Sequence, residues 1–333
     1  MLELNKKARI ICVLKLLEEF TDAEHPMDSA AIREKLSEIG ISVERKAIYD
    51  DIEILRELGY EIERSGGKNG GYYLISRRFS MPEVCLLVDA VQSAGFIPRG
   101  HTKSLVERLE GLVSRYEAEE LKSRVCIENR AKASNDEVYN IIEKLSEAIA
   151  SKKAVKIVYT KNVFGDNNVV KTRKELMVNP YALLWESDHY YLIGNNPKYP
   201  NLIHLRVDRI ESVERSNHRW RHFSEVSDYK QRFDIADYAK KTFNMFGGEK
   251  CRIDLECSEE FLDQILDRFG TGIFIRREKA RKVFRFSTEA HISEGLIGWL
   301  MQVGGRVKVL SPESLKNDVS KRVKELNYIY NAE

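Results

Sequence analysis

Basic and aromatic side chains recur at helical spacing directly after a Gly-Ile-Ser turn early in the chain. Arg45, Lys46 and Tyr49 would share the polar side of one helix. Ser42 is the expected N-cap of that helix, and Gly59 is its expected end. Its opposite side carries an apolar stripe at Ile48, Ile52 and Leu55. Arginine can read a guanine edge through two hydrogen bonds and lysine binds phosphate, so these residues predict contact with a nucleic-acid duplex.

Two short extended runs follow this helix, at Tyr60–Arg64 and Tyr72–Ile75. Glycines on both sides of a Lys-Asn pair in the connection predict a flexible hairpin tip. A short polar-faced helix followed by such a hairpin suggests a winged helix-turn-helix, with the helix in the major groove and the hairpin over the phosphates. The predicted DNA contacts are Ser42, Arg45, Lys46, Tyr49, Arg64, Lys68 and Asn69.

The preceding segments supply the rest of that motif. Residues 8–20 form an amphipathic pattern, and Asp28 or Ser29 can cap a second helix over residues 29–39. Gly40 and Ile41 then make a tight turn into the third helix. The alternative is a small scaffold of helices and strands without a role in DNA binding.

A second group of basic and aromatic residues lies in the middle of the chain. The segment from Lys152 to Lys174 holds seven lysines and arginines and one acid, Asp166, on strands of alternating polarity. Cations beside tyrosine rings suit a ligand with phosphates and stackable bases. The predicted effector-binding residues are Tyr159, Arg173, Tyr191, His204, Arg206 and Arg209. The alternative is that Tyr191 belongs to the core and that Asp208 and Arg209 form a structural ion pair.

The remaining segments frame these two groups. Residues 79–135 predict a helical connector, and residues 136–228 predict a helix followed by about five short strands in a small, strongly bent barrel. Residues 217–246 read as a polar connector dotted with aromatic residues. Residues 245–333 follow the order β-α-β-β-α-β, which is the ferredoxin-like arrangement. The expected fold class is α+β with several domains, the first of which is the winged helix-turn-helix at residues 1–78.

The composition of the chain limits the classes of function that it can have. The 333 residues carry a net charge of only +2, and the first 78 hold 13 lysines and arginines against 15 acids. DNA affinity must therefore come from the local placement of charge. No apolar run is long enough to span a membrane, and the five scattered cysteines suggest a reduced, cytoplasmic protein. We find no motif for catalysis, for a metal or for a cofactor, so we do not expect an enzyme.

Taken together, these motifs resemble the WYL-domain transcriptional regulators of bacteria. The DNA-binding end resembles that family in Ser42, Arg45, Ile48-Tyr49, Asp51-Ile52, Leu55, Gly59 and Gly70-Gly71-Tyr72. The middle resembles it in Pro180, in residues 190–194 (Tyr-Tyr-Leu-Ile-Gly) and in residues 206–210 (Arg-Val-Asp-Arg-Ile). The C-terminal part resembles the extension of these proteins in Trp299-Leu300, Gly304-Gly305 and residues 309–312. Two positions depart: Tyr190 replaces the tryptophan that gives the family its name, and Asp50 stands where many members carry arginine.

The resemblance implies a function and an architecture for the whole chain. It implies an Sm-like barrel in the middle domain that senses a nucleotide or a single-stranded nucleic acid. We therefore expect a homodimeric regulator whose winged helix-turn-helix binds a palindromic operator in double-stranded DNA. The alternative is a nucleic-acid-binding accessory protein that acts mainly through the barrel, with the N-terminal domain as a protein-contact module.

Overall fold

The computed structural model of the protein forms two compact units, Met1–Asp136 and Glu137–Glu333. It describes residues 6–66, 70–124, 132–166 and 168–331. The described helices include none that is both long and apolar enough to cross a bilayer.

The first unit consists of helices and one hairpin in its described part. Its elements are α1 (Lys6–Phe20), α2 (Ser29–Glu38), α3 (Arg45–Glu57), β1 (Ile62–Arg64), β2 (Tyr72–Leu74), α4 (Met81–Ser93), α5 (Arg99–Glu110) and α6 (Arg115–Arg124). Apolar residues of α1, α2, α3 and the hairpin form one core, in which Leu17, Ile32 and Ile48 are fully buried. The predicted helices are therefore present with shifted bounds.

The turn between α2 and α3 is longer than expected, so that α3 begins later in the chain. Gly40 has a φ of +83°, and Ile41 N donates to the Leu36 carbonyl at 2.8 Å, which closes α2. The chain then stays extended because Ile41 reaches back into the core, so α3 begins only at Arg45. Its N-cap is Glu44, which makes no side-chain capping bond. The prediction that Ser42 caps α3 is wrong.

A third segment extends the hairpin. Met27 N donates to the Tyr72 carbonyl at 2.9 Å and Tyr72 N donates to the Met27 carbonyl at 2.8 Å, so the chain before α2 pairs with β2. A Cβ on Gly71 would lie only 2.5 Å from the Met27 carbonyl carbon. Glycine at position 71 thus permits the close approach that attaches the hairpin to the helices.

The helices after the hairpin pack on the same unit. Arg77 donates to the carbonyls of Glu18 and Thr21, both at 2.6 Å, at the end of α1. Ser114 Oγ donates to Asp22 at 2.6 Å just before α6. The bond from Ser114 ties a segment predicted as a separate connector to the chain just after α1, and residues 1–136 form one compact unit.

The second unit combines two sheets with helices. Its elements are α7 (Val138–Ala150), β3 (Val155–Phe164), β4 (Val169–Glu186), β5 (His189–Asn195), β6 (Leu202–Arg206), β7 (Ile210–Arg215), α8 (Ile235–Lys241), β8 (Glu249–Ser258), α9 (Leu262–Phe269), β9 (Ile275–Glu278), β10 (Val283–Ile292), α10 (Glu294–Val303), β11 (Val307–Ser311) and α11 (Glu313–Asn331). The strand orders are β6-β5-β4-β3-β7 and β11-β8-β10-β9.

The five-stranded sheet is built around the long strand β4. Its first part, Val169–Val178, pairs with β3, and its second part, Asn179–Glu186, pairs with β5. A register shift between Pro180 and Ala182 bends the ladder at the point where the partner changes. Among the described residues, β6 and β7 are the two edges of the sheet, with no ladder between them, and a 3-10 turn at Val207–Arg209 connects them. The sheet is thus not a closed barrel, and the Sm-like assignment stays a prediction.

The segment predicted as a polar connector packs against this sheet. Phe233 and Tyr238 are buried with Tyr181 and Ile193 of the sheet. Several partly buried side chains complete this cluster, among them Trp220, Phe223 and Tyr229. These aromatic residues therefore share a core with the sheet and do not form the polar connector that the sequence predicts.

The C-terminal sheet has antiparallel neighbours throughout, in the order β11-β8-β10-β9. The helices α9 and α10 lie in the chain between β8 and β9 and between β10 and β11. This is the order of elements predicted from the sequence. This strand order is compatible with a ferredoxin-like arrangement, which stays a prediction.

Candidate nucleic-acid interfaces

The start of α3 presents an arginine held in place by two hydroxyl groups. Arg45 Nε lies 2.5 Å from Tyr49 Oη and 3.1 Å from Ser29 Oγ, and the guanidinium lies 5.4 Å from the centre of the Tyr49 ring. The hydrogen bond with Ser29 and the Arg45 and Arg64 cations lower the pKa of the Tyr49 hydroxyl. Residues from α2, α3 and β1 thus act together at one exposed end of α3.

The other predicted DNA contacts distribute around this end. Lys46 and Ser42 are exposed, and Arg64 lies 5.8 Å from the centre of the Tyr72 ring. The Tyr49 and Tyr72 rings are 6.2 Å apart, which links α3 to the hairpin. The predicted contacts Lys68 and Asn69 lie outside the described residues.

An ion pair that the sequence does not predict fixes α3 in this position. Arg9 of α1 donates to Asp51 of α3 at 2.5 Å and 2.8 Å, and the Asp51 side chain is fully buried. The two residues lie 42 positions apart, so no local pattern could reveal their contact. The pair crosslinks the helix behind the motif to the helix that carries Arg45 and Lys46.

In the second unit, the predicted effector residues lie around the end of β6. Arg206 donates to both oxygens of Asp208, at 3.0 Å and 2.7 Å, and the bond to Asp208 raises the pKa of Arg206. The structural ion pair of this segment thus joins Arg206, not Arg209, to Asp208. Tyr191 is the direct cross-strand partner of Arg206 and is half-buried.

A histidine that the prediction omitted lies beside these groups. His189 Nδ1 is buried without a hydrogen-bond partner among the described residues. Burial and the Arg206 and Arg209 cations lower the pKa of His189, and its ring lies 6.1 Å from that of Tyr191. The sequence does contain a signal for this neighbourhood, because His189 lies two residues before Tyr191 and residues two apart on a strand share a face.

Two predicted residues serve the fold rather than a ligand. Tyr159 is only 6% exposed, and its hydroxyl accepts a hydrogen bond from Arg206 N at 3.3 Å. A ring enclosed in the core cannot stack on a base. His204 Nε2 lies 2.7 Å from the Tyr238 hydroxyl, and burial lowers its pKa to about 4. His204 is therefore neutral near pH 7 and gives no charge to a phosphate site.

Arg206 and Arg209 lie close enough to His189 that both cations lower its pKa, and the two are called the arginine cluster. Arg173 lies on β4, across β3 from Arg209. Arg173 forms a two-point ion pair with Glu211 at 2.7 Å and 2.6 Å. Thr160, the cross-strand partner of Arg173, donates to the Arg209 carbonyl at 3.0 Å. The Arg209 side chain is exposed. Arg173 and Arg209 are thus connected through Thr160 of β3. Arg173 and Arg206 already bind carboxylates.

Comparison with known families identifies two domains in the second unit. A WYL domain matches residues 140–215 and a WCX domain matches residues 249–326. A search of curated proteins found no match. The chain therefore carries a WYL domain followed by a WCX domain, which supports the resemblance seen in the sequence. No comparison identifies the N-terminal motif.

Solved structures give more distant likenesses. Proteasome accessory factor B/C (PafBC) of Arthrobacter aurescens is 18% identical with a TM-score of 0.30, over 98% of this chain and 49% of that one. This chain thus spans about half the length of the PafBC chain. A CRISPR Cas-related protein is 13% identical with a TM-score of 0.37, over 98% of this chain and 84% of that one. Both likenesses are too distant to carry a functional argument.

Proposed function

We propose that this chain is a DNA-binding transcriptional regulator that responds to a ligand of its WYL domain. In this proposal α3 enters the major groove, Arg45 reads a base edge, and Lys46 and Arg64 bind phosphates. The observation that carries the proposal is the exposed Arg45, held by Tyr49 and Ser29 beside the hairpin. A held guanidinium loses less side-chain entropy when it binds a base.

The proposed ligand is a nucleotide or a single-stranded nucleic acid that binds near Arg206, Arg209, Arg173 and Tyr191. Phosphates would replace the carboxylates that Arg206 and Arg173 now hold, and Arg209 would add an exposed cation. Binding that differs between two arrangements of the protein would shift its DNA affinity. The proposed protein is a cytoplasmic homodimer without enzymatic activity, and a palindromic operator would match its symmetry.

One measurement tests the DNA-binding part. A duplex selected from genomic DNA by the full chain is titrated with wild type and with Arg45→Ala/Lys46→Ala across a range of salt concentrations. The double variant should bind at least about tenfold more weakly, with a shallower salt dependence. Unchanged affinity across salt would refute a reading role for α3.

The second candidate is an accessory protein that binds nucleic acid mainly through its second unit. It is favoured by the slight acidity of the first 78 residues, which hold 13 cations and 15 acids. Genome-wide footprinting separates the candidates, because a regulator gives sharp palindromic sites whereas an accessory protein gives none.

A further inference from the structure

The hairpin of β3 and β4 continues beyond the packed part of the sheet as a two-stranded arm. Val155, Ile157 and Tyr159 at its base are buried, whereas the strand residues from position 161 outward and back to position 174 are exposed. Near the tip, Phe164 is 92% exposed and pairs with Val169, which is 60% exposed. Large apolar side chains exposed together in this way mark an interaction surface.

The pairing register places aromatic, polar and basic residues on one side of the arm. Directly opposed residues of an antiparallel ladder share a face, and every second residue of a strand points the same way. The side defined by the pairs Phe164↔Val169, Asn162↔Lys171 and Thr160↔Arg173 is called the arm face. Its successive pairs are about 7 Å apart along the strands.

The charge of the arm favours an anionic partner. Residues 160–174 contain four cations, Lys161, Lys171, Arg173 and Lys174, and one acid, Asp166. Lys161, Lys171 and Lys174 form no ion pair within the described part of the chain. Two acids at the base are already paired, Glu175 with Lys156 at 2.9 Å and Glu211 with Arg173 at 2.6 Å. Of these three lysines, Lys171 shares the arm face with the exposed Phe164 ring, whereas Lys161 and Lys174 lie on the opposite face of the arm.

We propose that the arm face binds single-stranded nucleic acid, with Phe164 stacking on a base and Lys171 contacting phosphate. A single strand is favoured over a duplex because its unpaired bases offer free faces to a ring at a hairpin tip. The inference deepens the proposed ligand binding of the WYL domain and rests on it. The bond from Thr160 to Arg209 joins the arm face to the arginine cluster, so one strand could follow both.

The test uses the full chain and a fluorescent thymidine oligonucleotide of about twelve nucleotides. Phe164→Ala should weaken binding about fivefold to a hundredfold without changing its salt dependence, since only stacking is lost. Lys171→Ala should make the slope of log affinity against log salt shallower by about 0.7, because one phosphate contact is lost. The matched controls are Phe274→Ala, which removes another ring that is 82% exposed, and Lys321→Ala; both should bind as wild type does.

The outcomes separate this inference from the proposed function. If Phe164→Ala binds the oligonucleotide as tightly as wild type does, the arm is not the binding site. If Arg206→Ala abolishes binding in the same experiment, the oligonucleotide binds at Arg206 instead. An equal loss in the two phenylalanine variants would overturn the arm as the binding site as well. A wild-type chain that binds its duplex through Arg45 and Lys46 but no oligonucleotide would overturn this inference and leave DNA binding intact. Thermal unfolding of each variant checks that the fold is unchanged.

Discussion

Arg45 Nε and Tyr49 Oη lie 2.5 Å apart, one helical turn from each other at the exposed start of α3. The same arginine also reaches Ser29 at the start of α2. The two helices of the motif are thus joined through the side chain proposed to read DNA. We therefore expect Tyr49 to position Arg45, a role that does not require Tyr49 to touch a base.

Tyr49→Phe should weaken binding of the selected duplex by about 1 kcal/mol, the typical value of one hydrogen bond. The ring that packs under the guanidinium remains, so the helix should be unaffected. Fluorescence anisotropy over a range of salt concentrations measures the effect. Tyr73→Phe, which removes a hydroxyl bonded to Glu63 within the hairpin, is the control. Equal affinities of Tyr49→Phe and wild type would rule out the positioning role.

Asp51→Ala should destabilise the first unit by about 3–5 kcal/mol, because it leaves the Arg9 cation without its buried partner. Chemical denaturation followed by circular dichroism measures the loss. Asp50→Ala changes the exposed neighbouring carboxylate and should stay within about 0.5 kcal/mol of wild type. If the two variants were equally stable, the ion pair between α1 and α3 would have no structural role.

Gly71→Ala should destabilise the hairpin by about 1–3 kcal/mol, since the new methyl group would overlap the Met27 backbone. Hydrogen exchange at the Met27 and Tyr72 amides reports on that contact. Gly66→Ala is the matched control, because a Cβ there meets nothing within 4 Å. The account predicts faster exchange only in Gly71→Ala, and protection that stays at the wild-type level would contradict it.

His204 should make the second unit less stable as the pH falls below 6.5. Its pKa drops from 6.5 to about 4 on folding, through burial and the nearby His291, so the unfolded chain binds the proton more tightly. The corresponding stability, about 3 kcal/mol, is present above pH 6.5 and is lost towards pH 4. His204→Phe should unfold with a flatter pH dependence between pH 6.5 and 5. A slope identical to that of wild type would contradict the assignment.

Local patterns were sufficient to predict most of the elements. Gly40 and Gly59 end α2 and α3 because both adopt positive φ values, which glycine adopts without strain. The order of strands and helices after residue 249 followed from alternating and helical periodicities. The start of α3 was missed because the burial of Ile41, a tertiary effect, delays the helix.

The candidate sites were less predictable, because their geometry depends on partners far along the chain. Alternation along β6 puts Arg206 and His204 on one face, but it could not show the aromatic residue Tyr238 that contacts His204 from a distant part of the chain. The sequence suggests a stacking role for Tyr159 because it does not reveal that the packing of the sheet buries this ring. Asp51 looked like an ordinary helix residue, since its partner is 42 positions away.

Coupling between the two proposed binding activities tests the central claim most directly. The affinity of the full chain for its selected duplex is measured with and without a saturating single-stranded oligonucleotide. The account predicts a change of about fivefold or more in either direction, abolished in the triple variant Phe164→Ala/Lys171→Ala/Arg206→Ala. Identical duplex affinities at proven saturation of wild type would contradict a regulator controlled by its WYL domain.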